Sequence, residues 1–520
     1  MLFNSFEFIF GLLPLSLLLT YGVGRWSRVG AKIALLAVSL AFYAWSGPSQ
    51  LTLLLASIFF NFAVVALTHR AQRAGRDGWV RALLIAGVAS DLALLGWYKY
   101  ANFAVQNVDD LTGIKYQLQQ IALPLGISFF TFQKIAYLID TARGETRPAN
   151  LLDFSLFSAF YPQLIAGPIV RFREVMPQLQ HRSFGRLIGR NLMVGLLLFA
   201  IGLFKKTVIA DALGEYVNPL YASATHGQSL SLASAWAAGA GYTLQLYFDF
   251  SGYSDMAIGI ARGLGIKLPL NFHSPLRAPS IIDYWRRWHM TLQRFIVSYI
   301  FQPMALPLNR LAANLRLDGW ALFLFGMAVP VFVTFVLVGI WHGAGWTFAA
   351  FGAMHGIYLS ANEAWREFHG RRNRRLKREG RPVGPPKGWQ IASAHALTVV
   401  AVIFSQVMFR SHSVSVATFI WRSMVGLGGL TSNAIDTYSR SFIATLVMAA
   451  GLVFLMPNSQ QIMGRFDPAL NWREWRHTAP APFSWTWKPN LPGLMFAGLV
   501  LFLGIAFVQR GRAVFLYFNF

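Results

Sequence analysis

The chain has 520 residues, of which 55% are hydrophobic and only 13% charged, with no cysteine and a formal net charge of +24. A water-soluble domain carries about 25% charged residues, so the composition excludes a string of soluble domains and describes one polytopic membrane domain. The missing cysteine excludes disulfides, thiolate metal sites and nucleophilic thiols, and the basic residues sit in short gaps between apolar runs, which argues for a lipid bilayer and against nucleic acid as the partner.

A spanning helix needs about 20 mostly apolar residues. The opening "MLFNSFEFIFGLLPLSLLL" lacks a basic leader and a small-residue cleavage site, and reads as a retained first helix. About eleven spans, each of roughly 17 to 23 residues, are expected from near Phe6, Ala31, Leu51, Val80, Asn191, Ser231, Trp320, Trp346, Ile391, Phe442 and Pro492. Weaker or broken segments lie near 120–139, 153–170, 255–268, 292–307 and 413–430. The basic stretches from Arg25, Arg70, Arg171 and Arg366 mark cytoplasmic loops, so the N-terminus and the loop 99–119 face outward. Between the basic stretches Arg143–Arg147 and Arg171–Arg190 lies "FSLFSAFYPQLIAGPIV". Entry and exit on one face suggest a re-entrant segment, which Pro162, Gly167 and Pro168 suit; a kinked helix pair is the alternative. The run from Arg366 to Gly388 holds nine Lys or Arg against two Glu and reads as a basic cytoplasmic loop. Residues 457–490, with Trp472, Trp475, Trp485 and Trp487, read as interfacial.

Three polar clusters interrupt this apolar chain. "PSIIDYWRRWHMTLQRFI" (Pro279–Ile296) places Asp283 and Arg287 at i and i+4, an acid-then-base pair. In a continuous helix Trp285 and His289 share a face, with Arg286 close by. "YTLQLYFDFSGYSDMAIG" (Tyr242–Gly259) holds Gln245, Asp249, Tyr253 and Asp255, with Gly252 as a helix breaker; Asp249 reads equally as an ion-pair partner and as a site residue. "GIWHGAGWTFAAFGAMHG" (Gly339–Gly356) holds His342 and His355, with Trp341 beside the first. A polar group at membrane depth is a functional-site candidate by default. The charge count puts the "WHGAGW" turn away from the cytoplasm, and Gly343 and Gly345 are expected to leave room for a substrate. One continuous helix would separate His342 from His355 by about 20 Å.

No His-x-x-His or His-x-x-x-His pair is present, which argues against a metal. No Gly-x-Ser-x-Gly elbow, phosphate-binding loop or dinucleotide fingerprint stands out. What remains is a lone histidine base able to take a proton from a hydroxyl that attacks an activated acyl group.

Five blocks carry a resemblance: "LPLGISFFTFQKIAYLID" (from Leu123), "FYPQLIAGPIVRF" (from Phe160), "QLYFDFSGYSDMAIG" (from Gln245), "YWRRWHMTL" (from Tyr284) and "GIWHGAGWTFAAFGAMHG". In this order the chain resembles the membrane-bound O-acyltransferase family. The bacterial branch it is most similar to contains the membrane subunits of alginate O-acetylation, cellulose acetylation and teichoic-acid D-alanylation. The resemblance implies an all-α polytopic membrane protein, a ring of about eleven or more transmembrane helices plus re-entrant segments around a thin catalytic centre. Residues 1–520 would form a single integral membrane domain, with 120–360 as its catalytic core and 366–388 as the basic loop. The resemblance assigns His342 the catalytic position and His289 a second polar position that orients the thioester carbonyl. It makes Trp285, Arg286, Trp288, Trp341, Gln245, Asp249 and Tyr253 the substrate-binding set and His355 structural or tunnel-lining. It further implies no permanently bound cofactor, acetyl-CoA as the donor substrate, and a multi-pass location in the bacterial inner membrane. A periplasmic acetyltransferase partner within an exopolysaccharide secretion complex would receive the acetyl group. The rival readings are D-alanyl transfer from a carrier protein, a transporter, which the missing inverted repeat disfavours, and a non-catalytic secretion subunit.

Overall fold

The structure is a computed structural model that describes residues 1–116, 121–429, 440–508 and 515–516. Helices carry it: among the described residues the only strand pairing is one isolated bridge, Pro269 with Leu470. Residues 117–120, where the expected outward loop meets the expected segment 120–139, lie outside the described residues, as does Leu430 at the end of the segment 413–430.

Local chemistry sets the helix ends. α1 (Glu7–Gly24) opens as a π-helix as far as Leu12. The Ser27 hydroxyl accepts from the Gly30 amide at 3.1 Å and so caps α2 (Arg28–Ala44). Pro48 starts α3 (Pro48–Arg73), where its missing N–H deprives the helix of nothing. α4 (Asp77–Thr112) has 36 residues, about 54 Å of helix, and it continues through most of the expected loop 99–119. α5 (Ile127–Ala142) follows. α6 (Leu151–Ala159), capped by Asn150, and the single turn α7 (Tyr161–Leu164) come next. Nine residues of α6 rise about 13 Å, too little to cross a bilayer. α6, α7 and the irregular stretch to Val170 are buried almost throughout, the condition under which broken backbone is tolerated at membrane depth. α8 (Phe172–Gln180) closes this part of the chain.

The centre is an α9–α10 pair. α9 (Gly189–Thr225) contains a π-turn at Lys205–Ala210. α10 (Leu232–Gly263) runs unbroken for 32 residues, so Gly252 does not break it and the expected segment 255–268 is largely its last turns. Gly252 instead admits α9: a Cβ on Gly202 would lie 2.5 Å from the Gly252 carbonyl oxygen. Two ion-pair groups fasten the same contact. Lys206 lies 2.6 Å from Asp249 and 2.7 Å from Asp211, and Lys205 lies 2.6 Å from Asp255. Asp255 also accepts from Ser459 and Gln460, both at 2.6 Å.

After α10 come α11 (Ile281–Arg287), α12 (Met290–Ile296) and, beyond a π-turn, α13 (Gln302–Asn314). α14 (Gly319–His342) and α15 (Trp346–Arg378) form a hairpin. The basic stretch from Arg366 continues α15 as helix to Arg378, and the Arg371 guanidinium there holds the Glu367 carboxyl below its usual range. α16 (Gly388–Arg410), α17 (Val414–Met424), α18 (Arg440–Phe454) and α19 (Leu491–Ala506) complete the chain. Among the described residues six helices, α1, α3, α4, α9, α14 and α16, are long and apolar enough to cross a membrane by length and composition. A helix stands at each of the eleven expected spans. However, α2, α18 and α19 have only 17, 15 and 16 residues, and polar residues interrupt α10 and α15.

Candidate functional site

The site is built on the end of α14. Gly343 is extended and Gly345 caps the next helix, so α14 stops at His342 and the chain turns back. The two arms touch backbone to backbone. A Cβ on Gly339 would lie 2.2 Å from the Phe348 carbonyl oxygen, and one on Gly352 would lie 2.3 Å from that of Phe335. Gly343 and Gly345 do not leave the expected room for a substrate. The Phe348 ring occupies that space, 2.2 Å from where a Gly343 Cβ would stand.

The last four carbonyls of a helix lack intrahelical partners. Here α4 supplies donors to three of them. The Tyr100 hydroxyl donates to Ile340 at 3.0 Å, and the Lys99 ammonium donates to Trp341 and, at 3.1 Å, to His342. One helix turn on, Phe103 stacks edge-on against Trp346, and Asn107 accepts from the Trp346 indole at 3.0 Å. The turn at Gly343–Gly345 therefore points the way α4 ends. α15 runs back along α14 from this turn, so its basic end lies at the other end of the hairpin, where Arg371 donates to the Gly319 carbonyl at 3.2 Å, and the basic α3–α4 turn lies at the far end of α4.

Beside this turn is a cleft of about 80 Å³, lined by Lys99, residues 123–129, Ile165, Trp341 and His342. The Leu125 backbone ties it to the same end of the molecule, its carbonyl accepting from Tyr43 at 2.9 Å and its amide donating to Gln50 at 3.2 Å. His342 is buried, its ring packed against Trp341 (4.8 Å), Phe409 (5.2 Å) and Phe351 (6.1 Å). Among the described residues Lys99 is the one other ionisable group on the cleft wall, and an imidazole so placed suits proton abstraction from a hydroxyl.

His289 stands behind that wall. Its ring is 6.5 Å from the Trp341 ring and 6.3 Å from the Phe129 ring, and both of these line the cleft whereas His289 does not. Trp341 stands between the two histidines, its ring 4.8 Å from that of His342 and 6.5 Å from that of His289, so packed aromatic rings rather than one shared cavity separate them. His289 sits where α11 ends and α12 begins, with φ 44° and ψ 51°. A left-handed non-glycine residue is a strained one, held by its surroundings. Asn271 holds it: its Oδ1 accepts from His289 Nδ1 at 3.0 Å and from the Thr291 hydroxyl at 2.8 Å, while its Nδ2 donates to Ser254 at 3.0 Å. An amide oxygen only accepts, so Nδ1 carries the proton and Nε2 the lone pair.

The other expected site residues disperse. The break at His289 separates it from Trp285, whose indole instead donates to His355 Nδ1 at 3.1 Å. The other ring nitrogen of His355 donates to Ser405 at 2.9 Å, so that imidazole is fixed at both ends. Because α14 and α15 fold back, Phe351 lies between the rings of His342 and His355, 6.1 Å from one and 4.6 Å from the other, rather than the two standing about 20 Å apart. Asp283 and Arg287 form the expected pair at 2.6 Å. Arg286 is exposed, and Trp288 packs on Phe272 and Tyr284, away from the cleft. Gln245 packs against Gly214, Asp249 is bound to Lys206, and Tyr253 stacks between Phe3 and Phe515. None of these six residues, Trp285 included, lines the cleft. Sequence reading passed over Lys99, Ser128 and Asn271. The spacing of Lys99, Phe103 and Asn107 by four was the one legible signal, since it puts all three on one helix face.

Residues 91–373 match the membrane-bound O-acyltransferase family. The chain is 34% identical over its whole length to the peptidoglycan O-acetyltransferase of Helicobacter pylori, covering 98% of that protein. It is 35% identical to the probable alginate O-acetylase of Pseudomonas aeruginosa over 82% of this chain and 75% of that one. The teichoic acid D-alanyltransferase of Streptococcus thermophilus is 28% identical over 55% of this chain and 68% of its own.

Proposed function

The chain belongs to the membrane-bound O-acyltransferase family and is an acyltransferase, and from that premise we propose that it is an inner-membrane O-acetyltransferase acting on an extracytoplasmic polysaccharide. The acyl group proposed is acetyl because the O-acetyl relatives resemble this chain over most of its length, whereas the D-alanyl relatives resemble it over about half. The acceptor class is a glycan of the alginate or peptidoglycan kind, with cellulose as a further member.

In this reading acetyl-CoA presents its thioester from the cytoplasmic side, where the basic helix ends attract its phosphates. His342 takes the proton of the acceptor hydroxyl as that oxygen bonds to the thioester carbonyl carbon. The carbon–sulfur bond then breaks, and the thiolate leaves with the proton. His289 steadies the aromatic wall through Trp341 rather than touching the carbonyl. Water would compete as an acceptor, and the packed rings of Phe129, Trp341 and Phe409 exclude it. Because the polymer is far larger than the cleft, a periplasmic partner carries the acetyl group onward. About eleven helices would surround this centre, the shorter ones crossing where the bilayer is thinned.

The observation that supports the reading is the placement of His342. It forms the wall of a cleft at the end of the molecule opposite the basic helix ends. The test is His342→Ala, with base-released acetate measured from peptidoglycan, from uronate-rich exopolysaccharide and from cellulose of the same cells. Acetate should fall to background in one of the three at unchanged membrane levels of the protein. Wild-type acetate in all three would end the proposal.

A further inference from the structure

Among the described residues Lys99 is the one lysine or arginine on the cleft wall, and the sequence of the hairpin explains why it is there. α14 ends abruptly at His342 because the next residue is extended, and an abrupt end leaves carbonyls that the helix cannot satisfy. At membrane depth no water replaces the missing donors. A side chain from a neighbouring helix must do so, and an ammonium is well suited. It has three N–H donors on one atom, and its charge opposes the negative end of the helix dipole. Lys99 donates to the carbonyls of Trp341 and His342 and lies 5.6 Å over the Trp341 ring, while Tyr100 takes the carbonyl before them. Three successive carbonyls are thus held by two adjacent residues of α4. The imidazole of His342 hangs from the last residue so held, and its direction follows that backbone.

We infer that Lys99 is a positioning residue for acyl transfer: its ammonium closes the last turn of α14 and fixes the His342 imidazole on the cleft wall. This rests on the reading of His342 given above. The roles differ in kind. His342 meets the reacting hydroxyl, whereas Lys99 acts through the backbone that carries it. The inference predicts a loss of rate rather than of donor affinity, since a displacement of about 1 Å at a reacting group costs about 100-fold.

The lack of cysteine in the whole chain allows a chemical test. Lys99→Cys would be the only thiol, and 2-bromoethylamine converts it to an aminoethyl thioether, a lysine analogue that restores the ammonium. Iodoacetamide on the same thiol gives a neutral side chain of similar bulk. Permeabilised cells expressing each form are given labelled acetyl-CoA. The initial rate of label entering the polysaccharide fraction is measured against donor concentration and divided by the amount of the protein in the membrane. The expected result is about a 100-fold fall in maximal rate for Lys99→Cys with the apparent KM within about threefold of wild type. Aminoethylation should recover most of the rate and carbamidomethylation should not. Equal recovery by both reagents would reduce Lys99 to a filler of space. A wild-type maximal rate for Lys99→Cys would overturn the inference, as would failure of both reagents to reach the thiol, because Lys99 would then not face the cleft. His342→Ala, run alongside, separates the two failures: activity retained there sinks the functional reading, while activity lost there but kept in Lys99→Cys sinks only this inference.

Discussion

At the scale of single residues, the most informative side chain after His342 is Asn271, because its amide decides which nitrogen of His289 bears the proton. Asn271→Leu keeps the branched shape and removes the oxygen that accepts from both His289 and Thr291. Each buried donor that loses its acceptor costs about 1–3 kcal/mol, and the strained backbone at His289 is freed. The variant should lower the thermal midpoint in detergent and reduce acetyl incorporation per folded molecule at least about tenfold; unchanged values in both measurements would mean that His289 needs no orientation. The contrast between these residues shows what a single sequence reveals. His342 was legible because a histidine flanked by tryptophan and glycine in an apolar run has few structural excuses. Asn271 was not, since asparagine in a loop is unremarkable until a histidine from a separate helix is found against it. Asp249 stayed ambiguous for the opposite reason. A carboxylate in an apolar run suggests a site, but its partner Lys206 lies 43 residues earlier in the chain, beyond any local pattern.

At the scale of elements, the α14–α15 hairpin is the unit that holds the centre in shape, and its contact depends on residues without side chains. Gly352→Val should force the arms apart, since the added atoms meet the backbone of Phe335 and Val336. An overpacked contact costs about 1–3 kcal/mol, visible as a lower midpoint in detergent. Gly96→Val, on α4 where an added Cβ meets nothing within 4 Å, should leave the midpoint unchanged, and equal effects of the two would refute the packing argument. Helix positions were readable from apolar runs because length and hydropathy are local properties. Helix breaks were read less well. The pairing of Trp285 with His289 assumed a continuous helix, but Trp288 leaves the helical region and His289 turns left-handed. Nothing in "YWRRWHMTL" announces that break, which is enforced by contacts with Asn271. Gly252 was read as a break and is a contact instead, because in a bundle the absence of a side chain serves a neighbour as well as a kink.

At the scale of the whole molecule, the long helices give the protein two chemically unlike ends. One carries the α3–α4 turn and the last turns of α15, dense in arginine; the other carries the cleft. The basic end should face the cytoplasm. In intact cells an impermeant maleimide should leave Arg375→Cys unlabelled and should label Leu111→Cys, an exposed position in the last turn of α4. The reverse pattern would invert the topology and with it the proposed routes of donor and acceptor. The α9–α10 ion pairs carry one more consequence, which concerns the making of the protein. A charged side chain at the middle of a lone helix costs about 2.5–3.5 kcal/mol to leave in lipid. α9 brings Lys205 and Lys206, and the carboxylates of Asp249 and Asp255 arrive only with α10. Synthesised first, α9 has Asp211 for one lysine and no counterion for the other. It therefore gains by waiting beside the insertion machinery until α10 emerges, and the two helices are expected to enter the bilayer as a pair, by a hairpin rather than by single spans.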